Sequence, residues 1–394
     1  MTNHQNKIEK IIAELCPNGV EFKELGDVCV IKTGQSVNKI DIANNPGEFP
    51  VINSGREPLG FIGKYNTEND PIGITTRGAG VGSITWCEGK YFRGNLNYSV
   101  TIIDHNKISV RFLYYLLLQD QAGIQQLATY QGIPALNKSN LEKLIIPLPP
   151  LAIQEEIVKI LNSFTELEAE LEAELEARKK QYEHYRDDLL DIKDVEYKAL
   201  GEMGEFIRGN GLQKKDFTEI GVGCIHYGQI YTYYGTFTDK TKSFVSPELA
   251  KKLKKAQKGD VIITNTSENL EDVGKAVVWC GEDEIVTGGH ATIFKSQKVI
   301  GKYFAYYTQT KMFFDQKKKY AKGTKVIDVS ATDMKKIKIP VPPLAEQERI
   351  VSILDKFDAL VNDISIGLPA ELSARRQQYE YYRGKLLTFK EYAK

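Results

Sequence analysis

The sequence has few cysteines, no metal-ligand spacing and no long apolar run. Its five cysteines are scattered over 394 residues without a CxxC pair, which argues against a zinc site. Its five histidines show no metal-binding spacing either. There is no run of about 18 apolar residues, so we expect no membrane span. The opening MTNHQNKIEK is unlike a signal peptide. These features predict a metal-free chain in the reducing cytoplasm.

Common catalytic motifs are also absent. No GxGxxG follows a predicted strand, and no GxxxxGK[ST] occurs. The acidic pairs Glu155-Glu156 and Asp187-Asp188 fall on predicted helices and are typical of surface charge. NNPGEF at Asn44 is faintly similar to the Asn-Pro-Pro-aromatic motif of base methyltransferases, but it lacks the second proline and a preceding glycine-rich loop. We therefore predict no catalytic centre.

The net charge of zero hides an uneven distribution along the chain. Residues 151–190 hold 5 basic and 11 acidic residues, a net of −6. Residues 191–343 hold 25 basic and 19 acidic residues, a net of +6. The remaining segments balance. The positive charge of residues 191–343 is therefore compatible with a nucleic-acid partner, although the net charge of the whole chain alone would argue against one.

What the sequence does contain is an internal repeat. IPLPPLAIQEEIVKILNSF begins at Ile146, and IPVPPLAEQERIVSILDKF begins at Ile339, 193 residues later. Four further pairs keep the same order: VEFKELG at Val20 with VEYKALG at Val195, Trp86-Cys87 with Trp279-Cys280, RFLYY at Arg111 with YFAYY at Tyr303 (offset 192), and ARKKQYEHYRDDLL at Ala177 with ARRQQYEYYRGKLL at Ala374. The chain is therefore two tandem copies, and the second copy has about 18 extra residues in its early part.

Each copy is expected to fold as a β-rich α+β domain followed by a long helix. Short runs rich in Val, Ile and Thr between glycine and asparagine residues predict strands. After each Pro-Pro, apolar residues recur at three and four positions, which predicts an amphipathic helix. The second helix should bend or break at Gly367 and Pro369. The predicted segments are a domain over 1–150 with a short N-terminal helix, a helix over 151–192, a domain over 193–343, and a helix and tail over 344–394.

The helices have narrow apolar seams that need a partner. In the first copy the seam includes Ile157, Leu161, Phe164, Leu171, Leu175 and Tyr182, and in the second Ile350, Leu354, Phe357, Ile364 and Tyr379. We expect the two helices to pair as an antiparallel coiled coil. The repeat TELEAELEAELEA from Thr165 is either a solvated acidic face or a ruler, in which each four-residue unit adds about 6 Å and about 40°.

Two lysine clusters, AKKLKKAQKG and QKKKYAKGTK, are either solvated surface or contacts to DNA phosphates. Base reading requires polar side chains on exposed loops. The candidate DNA-binding residues of the first copy are Arg77, Arg93, Asn95, Asn97, Gln131 and Lys138. Those of the second copy are Lys251, Lys252, Lys255, Thr264, Asn265, Ser267, Glu268, His290, Lys317, Lys322 and Lys325.

This layout resembles the specificity (S) subunit of type I restriction–modification enzymes. The resemblance rests on the paired IPLPPLAIQEEI and IPVPPLAEQERI phrases, the openings VEFKELGDV and VEYKALGEM, and the helix after each domain. The stretch KGDVIITNTSENLEDVGKAVVW is also similar to a target recognition domain of that family. One departure is Ile153, where the second copy has the more usual Glu346; we expect only a local effect.

The resemblance implies that each domain reads one half of a bipartite DNA target and that the helices set the distance between the halves. It also implies docking of two modification subunits, which bind S-adenosylmethionine and methylate adenine. Two ATP-dependent restriction subunits can join them. The chain would then be a non-catalytic subunit without a cofactor. The residues expected in docking or in the spacer are Gln154, Ile157, Leu161, Phe164, Leu171, Leu175, Tyr182, Gln347, Ile350, Leu354, Phe357 and Tyr379.

Three alternatives stay open at this point. The first is a recognition subunit for a modification system whose methylase and nuclease share one chain, which neighbouring genes would distinguish. The second is a scaffold without a DNA role, which predicts no salt-dependent DNA binding by the assembled complex. The third is an autonomous methyltransferase, which predicts cofactor binding by the isolated chain.

Overall fold

A computed structural model describes residues 10, 12–55, 57–363 and 365–392. The chain divides into two compact units. Unit 1 comprises Met1–Glu170 and Ser373–Lys394, and unit 2 comprises Leu171–Leu372. Each unit thus combines one β-rich domain with parts of the long helices. In unit 1, the segment that begins at Ser373 returns from the far end of the chain. In the described part of the chain, no helix is both long enough and apolar enough to cross a membrane.

Unit 1 holds two four-stranded sheets and several short helices. The helices are α1 (Leu25–Val28), α2 (Lys39–Asn44), α3 (Val110–Gln119), α4 (Gln121–Gln126) and α5 (Lys138–Glu142). The strands are β1 (Glu21–Glu24), β2 (Cys29–Thr33), β3 (Pro46–Ile52), β4 (Phe61–Ile62), β5 (Thr67–Glu68), β6 (Ile72–Thr75), β7 (Ile84–Trp86), β8 (Lys90–Arg93), β9 (Asn97–Ile102) and β10 (Ile145–Leu148). The sheets are ordered β2-β9-β6-β7 and β4-β3-β8-β5, and β1 pairs with β10. Of the predicted N-terminal helix, residues 12–15 are helical, and most of the preceding residues lie outside the described ones.

Three helices follow the two Pro-Pro phrases. Helix α6 (Leu151–Leu190) runs for 40 residues without a break, as the absence of glycine and proline predicts. The second copy instead has α13 (Leu344–Asn362) and α14 (Leu368–Leu386), so the predicted break near Gly367 is confirmed. Pro369 lies in the first turn of α14, where a missing N–H costs no hydrogen bond. Ile364, assigned to the second apolar seam, lies outside the described residues.

Unit 2 repeats this frame with additions. Its helices are α7 (Leu200–Met203), α8 (Tyr227–Thr232), α9 (Pro247–Ala250), α10 (Gly301–Tyr307), α11 (Lys311–Lys317) and α12 (Ala331–Met334). The strands are β11 (Tyr197–Ala199), β12 (Gly204–Arg208), β13 (Val222–Ile225), β14 (Phe237–Thr238), β15 (Ser243–Val245), β16 (Lys254–Ala256), β17 (Val261–Thr264), β18 (Thr266–Ser267), β19 (Ala276–Trp279), β20 (Ile285–Thr287), β21 (Ala291–Ser296), β22 (Ile327–Asp328) and β23 (Lys338–Pro340). The sheets are ordered β12-β21-β17-β19-β14 and β15-β13-β20-β16, with the pairs β11-β23 and β18-β22.

The repeated phrases at the two ends of each domain pair with each other. In unit 1, Glu21 of β1 lies opposite Leu148 of β10. In unit 2, Tyr197 of β11 lies opposite Pro340 of β23 in the same antiparallel arrangement. Each domain is therefore closed by its own first and last strands, and the chain leaves the closing strand through Pro-Pro into a long helix. This explains why these phrases are the best preserved parts of the repeat.

The extra residues of unit 2 lie mainly after its first parallel strand pair. Ile52 and Arg93 are paired partners in parallel strands β3 and β8, and Ile225 and Thr287 are their counterparts in β13 and β20. The chain from Ile225 to β15 then carries α8 and β14, which have no counterpart between β3 and β4. Strand β14 extends the sheet by pairing with β19 in parallel. The inserted residues thus add an edge strand and leave the shared frame unchanged.

Within each unit, the helices pack antiparallel. In unit 1, Phe164 of α6 contacts Tyr379 and Tyr382 of α14, and Glu168 pairs with Arg376 at 2.6 Å. Partner numbers on α14 fall as those on α6 rise. In unit 2, Tyr185 stacks on Phe357 of α13 at 5.8 Å, and the Tyr182 hydroxyl donates to Asp358 at 3.5 Å. The predicted antiparallel coiled coil is therefore confirmed.

Candidate nucleic-acid interface

The two sheets of each domain meet where one backbone crosses another at glycine. The Gly34 N–H donates to Asn97 O at 3.2 Å, and the Gly209 N–H donates to Ala291 O at 2.9 Å. A Cβ atom on Gly34 would lie 2.3 Å from Gly94 O, and one on Gly209 would lie 2.2 Å from Gly288 O. Only glycine permits this approach. The crossing is therefore the same structure in both copies.

Further loops join this crossing through backbone hydrogen bonds. In unit 1, the Thr76 N–H donates to Leu96 O at 2.9 Å, and the Leu136 N–H donates to Thr76 O at 2.8 Å. In unit 2, the Asn265 N–H donates to His290 O at 2.8 Å, and the Val329 N–H donates to Asn265 O at 2.9 Å. We call residues 34–36, 76–78, 94–96 and 129–135 the first loop face. Residues 209–212, 265–268, 288–290 and 322–328 form the second loop face.

The second loop face gathers exposed basic and polar side chains. The Asn210 side chain donates to Lys252 O at 2.9 Å, which brings the loop of Lys251 and Lys252 beside the face. The exposed Arg208 donates from Nε to Gly289 O at 3.0 Å. The exposed residues Glu268, His290, Lys322 and Lys325 also lie on this face. Of the predicted candidates in the second copy, six therefore lie on or beside one surface: Lys251, Lys252, Glu268, His290, Lys322 and Lys325.

Three candidates of the second copy are buried, so the expectation that they are exposed on loops is wrong. Thr264, Asn265 and Ser267 are at most 4% exposed. Asn265 donates from Nδ2 to Val329 O at 2.8 Å and accepts from the Thr292 hydroxyl at 2.7 Å. These bonds hold the 322–328 loop to the sheet. The side chains of the three residues therefore lie beneath the exposed side chains of the second loop face.

Lys317 and Lys255 also differ from the prediction. Lys317 is 3% exposed, and its Nζ donates to Glu271 O at 2.9 Å and Val273 O at 2.6 Å. Burial lowers the pKa of Lys317 to about 8. Lys317 therefore binds backbone carbonyl groups of its own domain. Lys255 is exposed on β16, outside the segments of the second loop face, and pairs with Glu284 at 2.6 Å.

In the first copy, the structure separates exposed candidates from two buried ones. Arg93 is 3% exposed and Asn97 is fully buried, so the expectation that they are exposed on loops is wrong. The Arg93 guanidinium donates to Asn97 Oδ1 at 2.6 Å and Asp70 O at 2.7 Å. A buried guanidinium needs such hydrogen-bond acceptors, because burying its charge without them is costly in free energy. Arg93 therefore joins the two sheets.

The remaining candidates of the first copy are exposed. Arg77, Asn95 and Gln131 lie on the first loop face. Arg77 forms an isolated antiparallel bridge with Ala135, which ties the 76–78 and 129–135 segments together. Lys138 begins α5 just beyond this face and pairs with Glu142 at 3.4 Å. The first loop face thus carries fewer exposed basic residues among the candidates than the second.

A histidine supports the second loop face. His226 is 5% exposed and accepts at Nδ1 from the Gly228 N–H at 3.2 Å, which caps the start of α8. Burial lowers the pKa of His226 to about 4, and the nearby charges of Lys214 and His290 act in the same direction. The ring is therefore neutral at pH 7, as its acceptor role requires. Its neighbour Tyr227 packs against His290 with ring centroids 4.9 Å apart.

The two glutamines of the Pro-Pro phrases make matching bonds. Gln154 accepts from the Ser109 N–H at 2.9 Å and donates to Lys107 O and Pro149 O. Gln347 accepts from the Ile300 N–H at 2.8 Å and donates to Lys298 O and Pro342 O. Both side chains are fully buried. Each glutamine therefore anchors its long helix to the preceding domain.

A second anchor lies two turns further along each helix. In unit 1, Arg111 Nε and the Tyr115 hydroxyl both donate to Asn162 Oδ1, at 3.1 and 2.7 Å. In unit 2, Lys302 and the Tyr306 hydroxyl each bind the Asp355 carboxylate at 2.7 Å. The true equivalence of the short helices is therefore Arg111 with Lys302, at an offset of 191. The predicted match of RFLYY with YFAYY, at 192, was wrong by one residue.

The other residues predicted for docking or the spacer lie mostly inside the helix seams. Ile157, Leu161, Phe164, Tyr182, Ile350 and Leu354 are buried, whereas Leu171, Leu175, Phe357 and Tyr379 are half-buried. Their contacts in each unit fit the spacer role. A direct contact with a partner subunit stays a prediction. At the departure from the repeat, Ile153 packs into the core of unit 1 and Glu346 pairs with Arg349 at 2.7 Å.

Sequence reasoning missed several residues of the loop faces. Arg208, beside the second loop face, and Asn210, on it, flank Gly209, and the exposed Tyr130 lies on the first loop face. The signal was present, because IKTGQS and FIRGNG follow the VEFKELG and VEYKALG phrases at the same offset of 175. The shared glycine in these segments marks the crossing.

Comparisons with known proteins agree with this repeated architecture. The family model described as "Type I restriction modification DNA specificity domain" matches residues 17–177 and 192–374, one match for each copy. The chain belongs to the family of type I restriction–modification specificity subunits. The alternative of a recognition subunit for a fused methylase–nuclease gains no support from these comparisons.

Individual relatives cover most of the chain. A putative type I restriction enzyme specificity subunit of Haemophilus influenzae is 32% identical over 99% of this chain and 100% of its own length. The EcoR124I/EcoR124II specificity subunit of Escherichia coli is 32% identical over 74% of this chain and 73% of its own length. The chain is thus similar to type I specificity subunits over most of its length.

Solved structures share the fold. The S subunit of a type I restriction–modification system from M. genitalium aligns with a TM-score of 0.56 at 20% identity, covering 94% of this chain and 96% of that one. A chain from a study of type I system assembly and conformational transition aligns with a TM-score of 0.61 at 18% identity, covering 94% and 98%. The predicted α+β fold, with two recognition domains and coiled-coil helices, is confirmed.

Proposed function

We propose that each loop face contacts one half of a bipartite double-stranded DNA target. The observation that carries this proposal is one backbone frame, present twice, whose exposed loop residues differ between the copies. Exposed lysines such as Lys251, Lys252 and Lys322 would contact phosphates, which position the protein without specifying sequence. Arg77, Gln131 and His290 would face base edges, where donors and acceptors distinguish base pairs.

The same proposal assigns the partners. Two modification subunits dock on the two copies of the Pro-Pro phrase and helix start, because equivalent surfaces suit identical partners. The matching Gln154 and Gln347 anchors support equivalent helix positions in each copy. These partners bind S-adenosylmethionine and methylate adenine, and two ATP-using restriction subunits can join them. The chain itself is then non-catalytic and holds no cofactor.

A salt-dependence experiment tests the DNA contact. The complex of this chain with its methyltransferase partner is compared with a complex carrying Lys322→Gln and Lys325→Gln. Each lost phosphate contact lowers the slope of log affinity against log salt by about 0.9, so the double variant should lower it by about 2. Binding should weaken at every target sequence, because phosphate contacts do not depend on the bases.

A matched pair of lysines provides the control. Lys255 and Lys258 are also exposed on unit 2, but they lie outside the segments of the second loop face. They pair with Glu284 and Glu282, as Lys322 pairs with Asp333 at 3.5 Å, so ion pairing does not distinguish the two sets of lysines. The variant with Lys255→Gln and Lys258→Gln removes the same charge and should leave the salt slope unchanged. An unchanged slope for the Lys322 and Lys325 variant, or an equal drop for both variants, would contradict the assignment of the second loop face.

A further inference from the structure

The outer loops of the two faces are equivalent, residue for residue. Thr129 and Ala135 form an isolated antiparallel bridge, and so do Lys322 and Asp328. Each bridge closes a seven-residue loop, and both bridge positions differ by 193, the offset of the Pro-Pro phrases. The loop sequences TYQGIPA and KGTKVID have no residue in common at equivalent positions. Their equivalence is visible only in the structure.

At its fifth position, each loop presents an exposed β-branched apolar side chain. Ile133 is 67% exposed and its equivalent Val326 is 59% exposed. A single exposed apolar residue is ordinary on a protein surface. Here, however, the apolar character and the exposure recur at one position of two loops that otherwise diverge. Packing within the domain does not explain this, because both side chains point largely into solvent.

The backbone on both sides of these residues is fixed. In unit 1, the Gly78 N–H donates to Pro134 O at 2.9 Å, directly after Ile133. In unit 2, Ser267 pairs with Ile327 and Thr266 with Asp328, directly after Val326. Left-handed glycines shape both loops, with φ of 88° at Gly132 and 104° at Gly323. The exposed side chains are therefore held at defined positions on their faces.

We propose that Ile133 and Val326 are specificity-determining residues, each contacting the 5-methyl group of a thymine in its half of the target. This inference rests on the proposed function. The thymine methyl is the apolar group that the major groove offers among its hydrogen-bonding edges. A β-branched side chain has few rotamers, so it loses little freedom on contact. Valine is also short for a wedge between base pairs. Polar neighbours Gln131 and Lys325 are exposed beside the two tips and can bind adjacent edges.

The test replaces each thymine of the target, on either strand, by deoxyuridine, which lacks the methyl group but keeps the hydrogen-bonding edge. Affinity is measured for the complex of the full chain with its methyltransferase partner. In each half-site, at least one replacement should weaken binding about fourfold, the effect of one buried methyl-sized group. Ile133→Ala should abolish the sensitivity in one half-site only, and Val326→Ala in the other only. Ile133→Val, which keeps a branched methyl, should retain it.

Two exposed isoleucines serve as controls. Ile103 follows β9, at the opposite end of that strand from Asn97, and Ile220 precedes β13, at the opposite end of that strand from His226. The side chains of Ile103 and Ile220 are 57% and 84% exposed. Ile103→Ala and Ile220→Ala should keep the wild-type pattern. A target without any thymine sensitivity, or alanine variants that keep it, would overturn the inference. Alanine variants that lose the same affinity for every DNA sequence, with or without thymine, would also overturn it. Bipartite methylation by the wild-type complex would leave the proposed function standing in each case.

Discussion

The ring of Phe164 stacks on the ring of Tyr382 at a centroid distance of 5.6 Å and an angle of 26°. The equivalent residues of the repeat, Phe357 and Tyr185, stack at 5.8 Å and the same angle. In each unit, the first half of one long helix therefore meets the last part of the other copy's helix. The helix pairing therefore occurs twice, with equivalent residues of the two copies in each place. Each unit depends on chain segments that are far apart in sequence.

Removing either stacked phenylalanine should destabilise its own unit. Phe164→Ala leaves a cavity beside Tyr379 and Tyr382 and should cost about 3 kcal/mol of unfolding free energy. Amide hydrogen exchange should rise first in residues 373–386 of α14. Phe357→Ala should act instead on residues 177–190 of α6. Gln377→Ala is the control, because Gln377 is exposed on α14 and its loss should cost under about 0.5 kcal/mol. Exchange that rises equally in both segments for either variant would contradict the paired stacks.

The buried glutamines should be intolerant of change. Gln154→Ala leaves the Ser109 N–H and the carbonyls of Lys107 and Pro149 without their buried partner, and should cost about 2 kcal/mol or more. Gln347→Ala should cost a similar amount in unit 2. Chemical denaturation of the full chain measures both. Glu155→Ala, on the exposed side of the same turn, should change stability by less than about 0.5 kcal/mol. A neutral Gln154→Ala variant would show that the anchor is dispensable.

Stability of unit 2 should fall in mild acid because of His226. Its folded pKa of about 4 lies below the ordinary value of 6.5, so the unfolded state binds a proton first as pH falls. The stabilisation is complete above about pH 6.5 and is lost as pH falls towards 4. Between pH 7.5 and 5 the loss should be on the order of 2 kcal/mol.

The two tryptophans allow this effect to be followed in unit 2 alone. Trp86 lies in unit 1 and Trp279 in unit 2, so a Trp86→Phe background leaves Trp279 as the reporter of unfolding. His226→Asn keeps an acceptor for the Gly228 N–H but does not titrate, because asparagine is a good helix N-cap. Its stability should therefore depend less on pH than that of the histidine form. The same pH dependence in both proteins would refute this role for His226.

The acidic repeat of α6 should act as a ruler. Deleting residues 169–172 removes one AELE unit and shortens the helix by about 6 Å, or roughly two base pairs of DNA. Both half-sites should be kept, and the distance between them should fall by about two base pairs in the methylated motif. Glu170→Ala keeps the helix length and should leave the spacer unchanged. A deletion variant whose methylated motif keeps the original spacer length would contradict the ruler interpretation.

Much of the fold follows from the sequence because the repeated phrases encode backbone constraints. Pro149-Pro150 and the absence of glycine and proline in 151–190 define where α6 begins and how far it runs. The residues of the loop faces were harder to predict from the sequence than the long helices. Asn97, Thr264 and Asn265 are polar residues between glycines and turns, a pattern typical of exposed loops, yet they are buried hydrogen-bonding residues of the sheets. Their burial depends on pairing between strands far apart in the chain.

The equivalence of the faces was hidden for the same reason. Ile133 and Val326 share a position only because two bridges of unlike residues close loops of equal length. The one-residue error in matching Arg111 arose because aromatic side chains align almost equally well at offsets of 191 and 192. Hydrogen bonds to Asn162 and Asp355 decide between these offsets, and no sequence pattern reports them.

The most direct test of the central claim is methylome sequencing of cells that express this chain with the methyltransferase encoded beside it. A second strain carries residues 195–338 replaced by the second domain of another family member. The account predicts a bipartite motif with a methylated adenine in each half, lost when this chain is deleted and changed in one half only by the replacement. A continuous short motif, methylation that persists without this chain, or a change in both halves would contradict it.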